Sequence, residues 1–289
     1  MPSPSERSFT PPVDAREDRT LWWLALAAIA AAGLAIGALY LWRARPPEPP
    51  VAAPVVAAPA PAGPAAPAEP AAAPAAPVYP IEQTQAQVNE RPTAALPAVD
   101  ASDSALVAAV ATLLGPGTIK EFIQPEGLAR RIVATLDNLP RAKLAARVLP
   151  LRPVPGRFAT AGSGGALVIG GDNPARYTPL VRLFEATDTR RLVGLYVRFY
   201  PLLQQAYKDL GYPGKSLNDR VVEVIDHLLA TPEPPLPVQL VQPKVLYEFA
   251  DPELEARSAG QKILMRMGPD HATSVKAKLR DVRRAIVGR

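Results

Sequence analysis

Residues 188–232 read DTRRLVGLYVRFYPLLQQAYKDLGYPGKSLNDRVVEVIDHLLATP, and this stretch decides the class of fold. Asp188 stands where an N-cap is needed, and Leu192, Tyr196, Phe199, Leu203 and Leu210 follow at helical spacing until Gly211 stops the run. Pro201 lies inside this longest helix. A proline there removes one backbone donor and crowds the preceding turn, so the helix is expected to kink or divide at that point. Ser216 opens a second helix with Leu217, Val221, Val224, Ile225 and Leu228 on its inner face, ended by the prolines from Pro232 to Pro237.

The same signals extend outward. A helix is expected from Asp100–Asp103 to Gly115, and another from Pro125, with Leu128, Ile132, Leu136 and Leu139 on one face before Pro140. Residues 150–175 lose the period and read as loop with one short strand at Ala166–Ile169, and Val238–Phe249 reads as extended. Asp251 and Pro252 form an N-cap and N1 pair for a helix reaching Gly268, and a last helix spans Ala272–Val287. The fold class is therefore mostly α, with one helical globular domain over 99–289, little or no β structure and no internal repeat.

Upstream, the composition changes twice. Residues 21–42, LWWLALAAIAAAGLAIGALYLW, are 22 residues without a charge, long enough at ~1.5 Å per residue to cross a hydrocarbon core of ~30 Å. Trp22, Trp23, Tyr40 and Trp42 stand at its ends as interfacial aromatics do. A cleaved signal peptide fits less well, because the apolar run is longer than ~15 residues and Tyr-Leu-Trp-Arg follows it. Arg7, Arg16 and Arg19 precede the span and Arg43 and Arg45 follow it, so charge alone hardly orients it. Residues 46–80 then hold 13 Pro and 14 Ala among 35, too few core formers to fold and suited to extended polyproline II reaching roughly 110 Å. Anchor, stalk and head together suggest a bacterial inner-membrane protein: a cytoplasmic tail over 1–20, a transmembrane helix from Leu21 to Trp42, a disordered linker over 43–98, and a periplasmic head.

The 289 residues include no cysteine and two histidines, which removes disulfides, Cys-ligated zinc, iron–sulfur clusters and thiol nucleophiles from consideration. No metal and no cofactor is expected. The net charge of +5 divides into −2 over residues 1–99 and +7 over the rest. Eight basic residues against Asp270 and Asp281 fall in 262–289, where Val275, Leu279, Val282 and Ile286 form an apolar stripe. The last helix is thus expected to dock by one face and present Arg280, Arg283 and Arg284 on the other, toward anionic lipid, acidic envelope polymer or nucleic acid, with nucleic acid disfavoured by a periplasmic location.

Tyr177, Tyr196, Phe199, Tyr200, Tyr207 and Tyr212 cluster within 36 residues of an aromatic-poor chain. Either they anchor the core or, with Arg176, some of them line a groove for a peptide or glycan, which the kink at Pro201 would open. Arg220, Glu223 and His227, at spacings of three and four, can line one flank of a helix, and a carboxylate beside imidazole, Glu223 or Asp226 with His227, can tune a general base. Against catalysis stands the absence of a nucleophile motif such as G-x-S-x-G. Asp137, Asn138, Asp172 and Asn173 sit at element boundaries, where such residues usually cap helices and close turns. The glycines of 162–171 match neither a Walker loop nor a dinucleotide fingerprint.

Several strings carry a resemblance: Asp137-Asn138-Leu139-Pro140-Arg141, Asn173-Pro174-Ala175-Arg176-Tyr177, Tyr200 to Tyr207, Leu210-Gly211-Tyr212-Pro213, Asn218-Asp219-Arg220, Val224 to Pro232, Phe249-Ala250-Asp251-Pro252, Ser258-Ala259-Gly260-Gln261-Lys262 and Met265 to Gly268. Over roughly residues 96–287 the chain resembles a family of uncharacterised, membrane-anchored bacterial proteins in which a domain of unknown function follows a Pro-rich linker. The resemblance implies one domain, a bacterial source and an envelope location, and brings no activity. The sequence therefore suggests a noncatalytic head that binds a protein or cell-wall polymer. A periplasmic hydrolase or transferase acting on envelope polymer is the alternative, and a cytoplasmic nucleic-acid binder a further one.

Overall fold

A computed structural model describes residues 76–93, 95–163 and 166–288. The expected span at 21–42 and most of the expected linker lie outside them. Ten α-helices appear among the described residues: α1 Ile81–Val88, α2 Asp103–Leu114, α3 Pro116–Phe122, α4 Leu128–Asn138, α5 Thr178–Ala186, α6 Thr189–Asp209, α7 Leu217–Leu229, α8 Pro252–Glu255, α9 Ala259–Arg266 and α10 Pro269–Val287. The domain is mostly helical. Two short antiparallel pairs add the β structure: β1 Thr160–Ala161 with β2 Val168–Ile169, and β3 Leu240–Val241 with β4 Glu248–Phe249. Among the described residues no single helix is long and apolar enough to cross a membrane; α2 and α3 pass that test only as a pair bent by 113°. Gly115, at φ +90°, makes this bend, in a backbone region that glycine enters without a Cβ penalty.

The caps read from sequence are present. Asp188 accepts a hydrogen bond from Arg191 N, and Ser216 from Asp219 N. The helix through Pro201 is not divided there: α6 runs unbroken, with the proline exposed on its outer side while Val197, Leu202, Leu203 and Ala206 are buried on the inner one. Around α6 pack α1, α2, α4 and α10, and α4 and α10 also meet α7.

Three expectations need correction. The packed unit begins before residue 99, because α1, within the expected linker, lies against α6 and α10. Thr84 Oγ1 donates to Ile286 O at 3.1 Å, Gln83 Nε2 donates to Val287 O at 2.9 Å, and Val88 joins Val193, Val197 and Ile286 in one apolar cluster. The short, weakly amphipathic α1 has no strong helical period, and its partners on α6 and α10 lie some 100 and 200 residues downstream, so only the tertiary contact fixes it.

The helix expected from Asp251 to Gly268 is two helices. Ser258 caps a fresh start, accepting from Gln261 N, while Ala259 N and Gly260 N donate to Arg141 O and Leu139 O. The end of α4 thus satisfies amide donors that a new helix start leaves open.

The last helix does not dock by one face. α10 packs against α1, α5, α6, α7 and α9, and Lys276 and Lys278, two of the eight basic residues of 262–289, are buried. Lys276 Nζ donates to Thr231 O at 2.6 Å, just past α7, and Lys278 Nζ donates to Thr187 O and Glu185 O at the end of α5. Helix C-termini expose carbonyls that carry partial negative charge, and two buried ammonium groups neutralise them.

Candidate functional site

The most convergent polar arrangement lies where α4 ends against the start of α7. Asp137, in the last turn of α4, has a side chain only 5% exposed. Arg220, in the first turn of α7 and 16% exposed, donates from Nη2 to Asp137 O at 2.8 Å and approaches Oδ1 at 3.2 Å. Its Nη1 donates to Glu223 Oε1 at 2.7 Å. On the other side Arg141 Nη2 donates to Asp137 Oδ2 at 2.6 Å and to Tyr212 Oη at 2.9 Å, while Tyr212 Oη donates to the same carboxylate oxygen at 3.2 Å. One nearly buried carboxylate therefore holds two guanidiniums and a phenol. Burial works against the charge of Arg220, but the Glu223 hydrogen bond and the nearby carboxylates outweigh it and hold its pKa above the ordinary value. Its Nε is buried without a partner among the described residues.

Above this network opens a depression of about 420 Å³. The buried ring of Tyr207, from α6, stacks on Tyr212 with centroids 4.7 Å apart, and Lys215 Nζ lies 5.4 Å from the Tyr212 ring centre. Burial pushes the Tyr207 hydroxyl up to about 12, with Arg220 opposing and the Asp137 charge adding to the rise. Asp219 closes the rim by accepting from Val78 N at 3.0 Å and Tyr79 N at 2.7 Å, so the segment entering α1 forms one wall. The surface presented is mixed: Arg141 and Lys215 are exposed cations, Glu223 is an exposed carboxylate, and Tyr212 gives an aromatic edge. Such a set suits a ligand carrying both charges and a flat group, as a peptide segment does.

Of the sequence candidates, Tyr207, Tyr212 and Glu223 line this depression. The others are dispersed. Tyr196 Oη donates to the buried Asn218 Oδ1 at 3.0 Å, and Tyr200 Oη donates to Gln204 Oε1 at 2.9 Å. Burial raises the pKa of both phenols, that of Tyr196 far above its ordinary value. Arg176 fastens a loop, donating to Pro155 O, Gly156 O and Asn173 Oδ1 and lying 5.6 Å from the Tyr177 ring centre. Three neighbours on α7 face three partners. Glu223 meets Arg220, Asp226 takes Arg283 at 2.5 and 3.1 Å, and His227 Nε2 lies 2.8 Å from Ser258 Oγ. The Ser258 hydroxyl is occupied as the α9 cap, and Gln261 Nε2 donates to His227 O. Arg284 pairs with Asp281 on its own helix, and Arg280 is exposed.

Sequence reasoning placed Asp137 among helix-ending residues and gave Arg141 and Lys215 no role. The spacing of Asp137 and Arg141 by four was a local signal for one ion pair. The partner Arg220, 83 residues away, had none. Other strings that carried the resemblance hold the fold: Asn173 Nδ2 donates to Arg266 O, and Asn218 Nδ2 donates to Tyr79 O and Thr84 Oγ1.

Comparison with curated proteins and with solved structures finds no match. The stretch of residues 128–283, more than half of the chain and containing Asp137, Arg141, Tyr212, Lys215, Arg220 and Glu223, matches the family described as "Protein of unknown function (DUF3014)", and the chain belongs to that family.

Proposed function

We propose that this chain is a single-span bacterial inner-membrane protein whose helical head, in the periplasm, is a noncatalytic binding module for a peptide-bearing partner, an envelope protein or the cell-wall polymer. The anchoring part rests on the uncharged residues 21–42 and the Pro- and Ala-rich residues that follow. The binding part rests on one observation above all: a nearly buried carboxylate fixes Arg141, Arg220 and Tyr212 around an open polar depression. Fixed side chains lose little entropy when a ligand arrives, which favours recognition. The geometry favours this reading over a hydrolase or transferase, because Glu223, Asp226 and His227 are each committed to a different neighbour and share no reacting point. It also favours it over nucleic-acid binding through the last helix, where Arg283 and Arg284 are paired with carboxylates.

Two measurements test it. An alkaline phosphatase fusion after residue 289 should be active; activity only of a cytoplasm-dependent reporter would overturn the location. Full-length protein in mild detergent should co-sediment with purified cell-wall sacculi or be retained by an envelope protein, and Lys215→Ala with Tyr212→Ala should weaken this about tenfold or more at unchanged helical circular dichroism. Binding unchanged in that folded variant would remove the depression from the account.

A further inference from the structure

On another side of the domain, α2 has an unusual balance of composition and burial. Its twelve residues, DSALVAAVATLL, are nearly all apolar, yet only Leu106 is buried. Two cavities adjoin the helix, one along its length and one at its last residue, Leu114. One, of about 280 Å³, is bounded by Leu114, Phe122, Leu180, Leu183, Phe184 and Leu192. Its one polar lining residue, Thr187, has its hydroxyl donated to Leu183 O. The other, of about 820 Å³, runs along α2 and the first half of α6 and carries Arg190, Arg191 and Arg198 against Glu90. The two are neighbours along the same pair of helices: Leu113 and Leu195 line the arginine-bearing groove, and Leu114 and Leu192 the apolar one.

We propose that this groove binds a single-chain anionic amphiphile, with the hydrocarbon chain in the apolar cavity and the carboxylate or comparable head among the α6 arginines. Charge complementarity supplies the head: three guanidiniums face one carboxylate, and among the described residues Arg191 and Arg198 enter no ion pair. Chemistry at the deep end selects the tail. An apolar cavity stays dry and accepts apolar guests, whereas a peptide inserted there would leave its amides without partners. A hydrocarbon chain needs none. The occupant is a free, monomeric amphiphile rather than a bilayer surface, because the apolar cavity, bordered by α3 and α5, has at about 280 Å³ room for one chain. This site is independent of the depression over Asp137.

Photolabelling with the full-length protein tests it. The chain is placed in phosphatidylcholine nanodiscs, exposed to dodecanoate carrying a chain-terminal diazirine, irradiated, digested and mapped by mass spectrometry. Adducts are expected on residues 113–123 and 178–192, suppressed by excess dodecanoate. Leu180→Trp, which fills the apolar cavity, should lower labelling there about tenfold, since each buried methylene is worth about fourfold in affinity. Arg191→Ala with Arg198→Ala, both exposed and outside the core, should lower it about threefold for the carboxylate and leave a diazirine dodecanol probe unchanged. Absence of adducts in these two segments, equal labelling by acid and alcohol in the wild-type chain, or labelling unmoved by both variants would overturn the proposal.

Discussion

Asp137→Ala is the most informative single substitution in the head. Asp137 balances Arg220, 16% exposed, and Arg141, 53% exposed, and accepts from Tyr212. A hydrogen bond to a charged group is worth ~1.5–3 kcal/mol when buried, which applies to Arg220. The exposed Arg141 contact adds ~1 kcal/mol at most, and the Tyr212 bond a similar amount. The substitution leaves Arg220 with the main-chain oxygen of residue 137 and with Glu223, so the loss stays below that of a fully orphaned charge. We expect a destabilisation of about 3–4 kcal/mol, a large share of the ~5–15 kcal/mol typical of a domain. Urea unfolding of a fragment spanning 76–289, followed by circular dichroism and tyrosine fluorescence, measures it. A double-mutant cycle with Arg220→Met should give a coupling of about 2 kcal/mol. A loss under ~1 kcal/mol, or additive single effects, would refute the view that this carboxylate organises the site.

Other consequences can be checked alongside. A fragment starting at residue 99 should be less stable than one starting at 76 and show a broader urea transition, since it lacks α1 and its bonds to Ile286 and Val287; equal midpoints would restore the later boundary. Gly260→Ala should cost ~1–3 kcal/mol, because a Cβ there would stand 2.6 Å from Leu228 Cδ2 and 3.0 Å from Leu139 O; a neutral result in thermal unfolding would mean that α4 and α9 are not in close approach. Tyr207 keeps its proton to about 12 in the fold while a free phenol loses it near 10.0, so the folded state binds more protons between these values. Stability should accordingly be full below pH 10 and decline as pH rises toward 12, less steeply in Tyr207→Phe; ultraviolet titration showing every tyrosine ionising at the free value would contradict this.

What the sequence made legible is what short-range chemistry determines. Asp188 and Ser216 announced their helices because a cap needs only its own next turn. Gly115 and Gly211 ended theirs for equally local reasons. Where a partner is remote, the signal fails. Asp103 accepts from Gly127 N and Leu128 N and so starts α4 from 25 residues away, later than the expected opening at Pro125. Lys276 and Lys278 read as solvated charges because nothing in their own helix shows the carbonyl ends they reach. The same limit hid the site: Tyr207 and Glu223 were nameable by residue type, but Asp137 joins Arg141 to Arg220 only once α4 meets α7.

On the proposed function, the head meets its partner at the depression over Asp137. Site-specific photocrosslinking in cells tests it most directly, with a benzophenone amino acid placed in the full-length chain at Lys215, on the rim, or at Glu121, exposed on α3 and outside the lining. A discrete, reproducible adduct is expected from Lys215, diminished by Tyr212→Ala, and none from Glu121. An adduct from Glu121 with none from Lys215 would contradict it.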